Sequence, residues 1–332
     1  MKNILLLSTG GTIASVPGKI GLAPGLTAQA IIDFVPELKE ICRIDSKTVF
    51  NLDSSNIQPE EWKVIAKEVF SGLQHYDGIV LLHGTDTMAY TASILSYMLT
   101  SLNKPVILTG SQLPIVAPDT DARINLLHAF MAVTQSLRGV FIVFGGKIIR
   151  GTRAVKVRTL SPNAFESINA EYAGHFIDGK VVINADIIDK KNGPVILDDS
   201  IDSDVFLLKL IPGTRPEFFD SFLSMGYKGL VVEGFGLGGM HNIRRDLTEK
   251  LNQLLDAGIA VVVTTQCLYE ISDLTVYEVG RKAAKEGIIP GYDMTSEAAV
   301  TKLMWILGHT KDLSEVKRMM LTDYCGEIYV PC

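Results

Sequence analysis

Short apolar runs rich in β-branched residues alternate with longer stretches of helical period along most of the chain. The run 3–7 (NILLL) predicts a first strand, and 27–35 (TAQAIIDFV) a helix. Residues 41–52 read as extended. Residues 58–73 read as a helix, with Pro59 in the first turn and acidic residues after it. The pattern continues with a strand at 77–83, a helix at 87–102, a strand at 105–110 and a helix at 121–136. Two strands around a Gly-Gly turn follow at 139–151. Strands apolar on both faces and separated by helices predict an α/β fold whose mostly parallel sheet carries helices on both faces.

The pattern weakens beyond Val181. Residues 186–204, with Gly, Pro and several aspartates, read as a linker. The alternation then resumes. Strands are expected at 204–210, 229–233 and 258–264, and helices at 215–225, 244–257 and 295–307. The expected organisation is therefore an N-terminal α/β catalytic domain over 1–185, a linker over 186–204, and a smaller C-terminal parallel α/β domain over 205–332.

Composition narrows the functional classes. With 332 residues and 47% hydrophobic content, the chain can bury substantial cores. A net charge of −6 argues against nucleic acid or an anionic membrane surface as partner. No apolar run reaches membrane-spanning length, and the N-terminal run is too short for a signal-peptide core. Cys42, Cys267, Cys325 and Cys332 are scattered without CxxC spacing, which suits a reducing cytoplasm. The six histidines show no metal-ligand spacing, so no metal is expected.

Candidate chemistry gathers where the predicted strands end. After the first strand comes STGGT (Ser8 to Thr12), after the second DSSN (Asp53 to Asn56). HGTDT (His83 to Thr87) and TGSQ (Thr109 to Gln112) follow the next two. One such corner is ordinary turn and cap chemistry. Four at one sheet edge make a cup of hydroxyls, backbone N–H groups and a carboxylate, suited to a small zwitterion. A hydroxyl nucleophile there needs a base. His83 is one candidate. The other base that can serve is a desolvated lysine, whose pKa falls on burial or rises beside a carboxylate; Lys156, in RGTRAVKV after the Gly-Gly hairpin, is the leading candidate.

The motifs TGGTIAS, DSS, HGTDTMAYTAS, TGSQLP and RGTRAVK together resemble the bacterial-type L-asparaginases, cytoplasmic type I branch. The likeness runs from Lys2 to beyond GYDMTSEAAVTKL. It implies hydrolysis of L-asparagine to L-aspartate and ammonia through a β-acyl-enzyme intermediate, with no cofactor. Thr12 is implied as the nucleophile. Thr85 and Asp86 are implied to lie opposite it, with Lys156 polarising Thr85. Asp53, Ser54 and Ser55 are implied at the substrate α-carboxylate, and Asp86 at the α-ammonium. A homodimer or homotetramer is implied, its sites formed between domains of partnered subunits. L-Glutamine remains open as a second substrate, since one methylene of pocket depth separates the two. Either threonine could carry the acyl group.

Two departures stand out. Many relatives carry a tyrosine in the loop after the nucleophile, where this chain has Leu22; Tyr277 is the candidate replacement. Some type I relatives bind regulatory asparagine near a TQC segment. TTQCL with Cys267 is present here, but Val155 and Glu233 stand where a threonine and an arginine are expected, which argues against such regulation. GFGLGG (Gly234 to Gly239) also fits a dinucleotide fingerprint, though the next strand lacks the ribose-binding acid. The other rivals are the glutaminase (D) subunit of a tRNA-dependent amidotransferase, which carries an extra N-terminal domain, and a receptor using the same cup without turnover.

Overall fold

The computed structural model describes residues 1–18, 21–187 and 193–331. The chain folds as two units, Met1–Asp199 and Ser200–Cys332. The N-terminal unit is built on an eight-stranded sheet. Its strands are β1 (Asn3–Gly10), β2 (Arg43–Leu52), β3 (Gly78–Leu82), β4 (Pro105–Thr109), β5 (Gly139–Phe144), β6 (Lys147–Arg150), β7 (Gly174–Ile177) and β8 (Lys180–Ile183), in the order β8-β7-β6-β5-β4-β3-β1-β2. The pairs β2–β1, β1–β3, β3–β4 and β4–β5 are parallel, and the last three strands add antiparallel. Strand order reverses at β1, which lies between β2 and β3. In an open parallel sheet that reversal opens a crevice beyond the carboxyl ends of the two strands.

Every residue of β3 and β4 is buried, as expected of strands covered on both faces. On one face, Ile4, Leu6, Val80, Leu82 and Ile107 form a core with Ile31, Leu126 and Phe130 of helices Ala28–Asp33 and Ala122–Val133. Truncating Phe130 to Ala there costs about 3–5 kcal/mol. Helix Pro59–Leu73 buries Trp62, Ile65, Ala66, Val69 and Leu73, spaced three and four apart. Its start is fixed by Pro59 and by Glu61, whose carboxylate accepts the Gln58 N–H at 2.9 Å.

The C-terminal unit has a four-stranded parallel sheet in the order β9 (Val205–Lys209), β10 (Gly229–Gly234), β11 (Ala260–Thr265), β12 (Ile289–Pro290). Leu230, Val232, Val261 and Val263 pack against Leu251 and Leu254 of helix Thr248–Asp256 and against Phe219 and Phe222. Helix Ser296–Leu307 carries Lys302, which pairs with Glu327 at 2.6 Å, both fully buried.

Several elements differ from the sequence expectation. The helix expected over 87–102 ends at Met98. Leu99–Thr100 turn extended and pair antiparallel with Ile196–Leu197, part of the stretch expected as a linker. Residues 188–192 of that stretch lie outside the described residues. The helix expected from Arg244 begins at Thr248; the Asp246 carboxylate takes the Thr248 N–H at 2.8 Å in a turn just ahead of it. Helices Leu38–Ile41, Glu278–Glu286 and Leu313–Met320 and the β7–β8 hairpin are additional to the sequence expectation. The GFGLGG run closes into a tight turn, with Gly239 N–H on Phe235 O at 2.6 Å and Gly236 and Gly238 at positive φ. The next helix begins only at Thr248, so the run does not open a helix N-terminus as a dinucleotide fingerprint requires.

Candidate active site

The crevice at the β1/β3 reversal is a cleft of about 130 Å³ lined by Gly11, Thr12, Asp53, Ser54, Gly84, Thr85, Asp86, Gln112, Lys156 and Thr159. It is smaller than the usual drug-sized pocket and its walls are almost wholly polar, which suits a small charged molecule. Three loops meet there because three glycines let backbone lie on backbone. A Cβ on Gly11 would stand 2.5 Å from Gly84 Cα and N, and one on Gly84 would stand 2.6 Å from Ser54 Oγ. Gly10 and Gly11 also hold φ of 104° and 77°, a region other residues rarely enter. Thr12 follows directly, opening the short 3-10 turn Thr12–Ala14.

Among the described residues, none hydrogen-bonds the Thr12 hydroxyl. The opposite wall is more tightly tied. Lys156 Nζ donates to Thr85 Oγ1 at 2.7 Å and to Asp86 Oδ1 at 2.6 Å. The lysine side chain is only 16% exposed, whereas Asp86 is 62% exposed and keeps its second oxygen open. Asp53 accepts from the Ser55 hydroxyl at 2.6 Å and the Ser55 N–H at 2.9 Å. Those two bonds lower its carboxyl below the ordinary aspartate value.

The structure thus brings Thr12, Asp53, Ser54, Thr85, Asp86 and Lys156 to one cleft. Ser55 is not among the lining residues; its hydroxyl turns to Asp53. Gln112 and Thr159 also line the cleft, although the sequence did not single them out as site residues. Gln112 was visible only as the end of the TGSQ corner, and Thr159 sits in a loop without a motif. Several other corner hydroxyls are used locally. Thr9 donates to Leu82 O, Thr109 to Val143 O and Thr87 to Ser54 O. Gly11 N–H is taken by Leu52 O at 2.8 Å, so it cannot receive an oxyanion.

His83 is committed elsewhere. It is fully buried, with Nδ1 2.7 Å from Gly84 O and Nε2 2.9 Å from Thr91 Oγ1. A carbonyl only accepts, so Nδ1 carries the proton and Nε2 accepts from Thr91. Thr91 in turn accepts from Trp62 Nε1 at 3.0 Å. Burial lowers the imidazole to about 4. It is a packed, neutral link in the wall behind the cleft.

Lys156 stands on the short strand Ala154–Lys156, paired with Phe165–Ser167. That hairpin is clamped by Glu166, which binds Lys147 Nζ at 2.8 Å, Arg158 Nη1 at 3.1 Å and the Tyr172 hydroxyl. Burial alone raises a carboxyl, but these three donors outweigh it and hold Glu166 at about 2. Leu22 lies in the hairpin Ser15–Pro17/Leu22–Pro24 and is 60% exposed; Lys19 and Ile20 fall outside the described residues. Within the C-terminal unit, Tyr277 edges an apolar cavity of about 250 Å³ with Leu237, Met240 and Leu274. Glu233 accepts from Ser296 Oγ at 2.6 Å and lies 3.4 Å from Lys209. Cys42, Cys267 and Cys325 are free thiols, and Cys332 lies outside the described residues. Among the described residues no helix is long and apolar enough to cross a membrane.

Comparison with known proteins agrees with this geometry. The family model described as Asparaginase, N-terminal matches residues 3–189, and that described as Glutaminase/Asparaginase C-terminal domain matches 204–320. The chain is 42% identical to an L-asparaginase of Thermococcus kodakarensis over 98% of each. It superposes on the solved thermostable L-asparaginase of that organism with a TM-score of 0.92, at 41% identity, covering 99% of this chain and all of the other. The solved L-asparaginase I of Vibrio cholerae gives 0.89 at 30% identity, with 99% of each chain covered. The D subunit of the glutamyl-tRNA(Gln) amidotransferase of Pyrococcus furiosus is 42% identical over 99% of this chain and 77% of its own length.

Proposed function

The chain belongs to the asparaginase family, and from that premise we propose that it is an L-asparaginase, releasing ammonia from L-asparagine with Thr12 as nucleophile. The single observation that carries the assignment of roles is the contrast between the two hydroxyls. Thr12 lines the cleft with a hydroxyl that no described residue bonds, while Thr85 is held by Lys156 at 2.7 Å. One alcohol is free to attack and the other is wired for proton transfer.

The Thr12 oxygen bonds to the side-chain carbonyl carbon and the carbon–nitrogen bond breaks. The hydroxyl proton leaves with the nitrogen as ammonia. Water then attacks the β-acyl ester, giving aspartate and restoring the alcohol. Thr85 and Lys156 pass the proton that each attack displaces. Ser54 receives the substrate α-carboxylate. The open oxygen of Asp86 receives the α-ammonium, and with Asp53 and Lys156 the cleft carries a net charge of −1 that favours that cation. Asp53, set by Ser55, completes the floor.

A cytoplasmic homodimer or homotetramer is part of the same reading. Leu113 and Leu160, the residues next to the cleft-lining Gln112 and Thr159, are 45% and 86% exposed, which favours cover by a second copy. Light scattering coupled to gel filtration measures the assembly.

The test is ammonia release from L-asparagine and L-glutamine, with intact-mass analysis after substrate. Wild type forms an acyl adduct that Thr12→Ala lacks, and Thr12→Ala binds aspartate while turnover is abolished. A Thr12→Ala variant of near-normal rate, or an adduct that persists in it, removes Thr12 from the role. Silence on free asparagine with ATP-dependent amidation of charged tRNA in the presence of a partner protein favours the amidotransferase reading, which the likeness to the Pyrococcus furiosus amidotransferase chain keeps in view.

A further inference from the structure

Gln112 lines the cleft, and both ends of its side chain are bonded. Nε2 donates to Ser161 O at 3.2 Å, and Oε1 accepts from Thr85 Oγ1 at 3.3 Å. The backbone beneath it is fixed as well. The Asp121 carboxylate takes the Gln112 N–H with both oxygens at 3.0 Å and the Leu113 N–H at 3.0 Å. Asn125 holds that carboxylate at 3.1 Å and also donates to Gly110 O at 3.1 Å. Gln112 therefore projects from a rigid corner.

Hydrogen-bond logic gives the direction of each proton. Ser161 offers a carbonyl, which only accepts, so the amide nitrogen must face it. The amide oxygen then faces Thr85, and only the Thr85 hydroxyl can donate across that contact. With its proton directed to Gln112, Thr85 must meet Lys156 Nζ with a lone pair, at 2.7 Å. Without an acceptor on that side the Thr85 proton could rotate toward the cleft.

Resting on the roles given above to Thr85 and Lys156, we propose that Gln112 is a positioning residue for the reaction: its carboxamide, oriented by the Ser161 carbonyl, accepts the Thr85 proton and so aims a Thr85 lone pair at the Lys156 ammonium. The same contact ties the loop containing Thr159 and Ser161 to the catalytic alcohol. Gln112 acts through Thr85.

The test uses the full chain with L-asparagine as substrate. Gln112→Leu fills similar space but offers no acceptor; kcat falls about 10- to 100-fold, the loss expected for one directed hydrogen bond. KM and the calorimetric dissociation constant of aspartate stay within threefold. Gln112→Glu keeps an oxygen beside Thr85 but loses the donor to Ser161 and adds a negative charge there, so its kcat lies between wild type and Gln112→Leu. Should Gln112→Leu fail to fold, Gln112→Met takes its place. A kcat within twofold of wild type in the apolar variant overturns the inference. So does a loss carried by KM and aspartate affinity, or an equal loss in Gln112→Glu, since a structural or substrate-binding role gives those patterns. Failure of wild type to release ammonia from asparagine would instead overturn the functional reading on which the inference rests.

Discussion

At the carboxyl edge of the N-terminal sheet, Thr12, Ser54 and Asp86 face an open cleft. At the same edge of the C-terminal sheet, Glu233, Thr265 and Gln266 bond to their own neighbours. Both sheets are parallel there, and both offer polar residues beyond the strands. The difference lies in side-chain length and in glycine. Gly10, Gly11 and Gly84 draw the N-terminal loops together, so short hydroxyls project into the space that remains. In the C-terminal unit the long Gln266 amide reaches back to Leu210 O at 2.6 Å and Glu233 O at 3.0 Å. Glu233 is held between Lys209 and Ser296. Sheet topology offers a crevice, and chemistry needs polar groups left unspent within it.

The sharpest way to break this comparison is to remove an amine from each edge. Lys156→Met lowers kcat about 10³-fold, the scale of a lost acid–base group. Its melting temperature changes little, because among the described residues the Lys156 amine bonds only Thr85 and Asp86, at a cleft that is already open. Lys209→Met, at the other edge, leaves kcat unchanged. Equal effects of the two variants on ammonia release would dissolve the distinction between the edges.

A smaller effect is expected one layer behind the lysine. Glu166 sits beside Val155 across the hairpin that carries Lys156. Glu166→Gln weakens the bonds to Lys147 and Arg158, so kcat falls about fivefold and stability by about 2 kcal/mol. Glu166 ionises at about 2, below an ordinary glutamate, so its contribution is present above the usual carboxylate range and is lost as pH falls from about 4.5 toward 2. Melts across that window should show a shallower acid loss in the variant. A variant with wild-type kcat and an unchanged acid limb would mean the clamp does not support Lys156.

What the sequence made legible follows from range. Alternating runs place β1, β3, β4 and β5, because burial on both faces is a local property of four or five consecutive residues. The corners were legible too, since each lies directly after a strand and strand order needs only parallel pairing to collect them. Gln112 and Thr159 were not, because their place in the cleft depends on the loop that brings Ser161 to the Gln112 amide, and no periodicity encodes that loop. Ser55 is expected at the substrate carboxylate, and its hydroxyl bonds Asp53, a pairing that sequence alone does not reveal. The end of the helix at Met98 was hidden for a similar reason: Leu99–Thr100 are drawn into a strand pair by Ile196–Leu197, far along the chain.

Ser55 gives a milder test of the N-terminal edge. Ser55→Ala removes the hydroxyl that holds Asp53 at 2.6 Å but keeps the backbone bond at 2.9 Å. Asp53 then gains freedom without losing its place. KM for asparagine rises about threefold, on the scale of one partly exposed hydrogen bond, and kcat is unchanged. A fall in kcat with constant KM would place Ser55 in the chemical step instead of behind the carboxylate that lines the cleft.

The smallest effect on activity, none, belongs to Glu297 in the first turn of helix Ser296–Leu307. Burial, assisted by the nearby Glu233 carboxylate, raises its ionisation to about 7 against a usual 4.5. A folded chain then holds a proton on Glu297 that the unfolded chain has already lost. The sign follows: stability is unaffected below about pH 4.5, falls as pH rises through the window up to about 7, and carries the full cost above it. Lys209 is drawn to Glu233 and offsets part of the repulsion. Glu297→Gln stays neutral throughout, so it should melt several degrees above wild type at pH 8, on the order of 2–3 kcal/mol, and no higher at pH 4. Its kcat should match wild type at both. A variant whose melting temperature tracks wild type across the whole range would show that Glu297 is ionised in the folded chain with a counter-charge, and that the C-terminal edge is less closed to water than its hydrogen bonds imply.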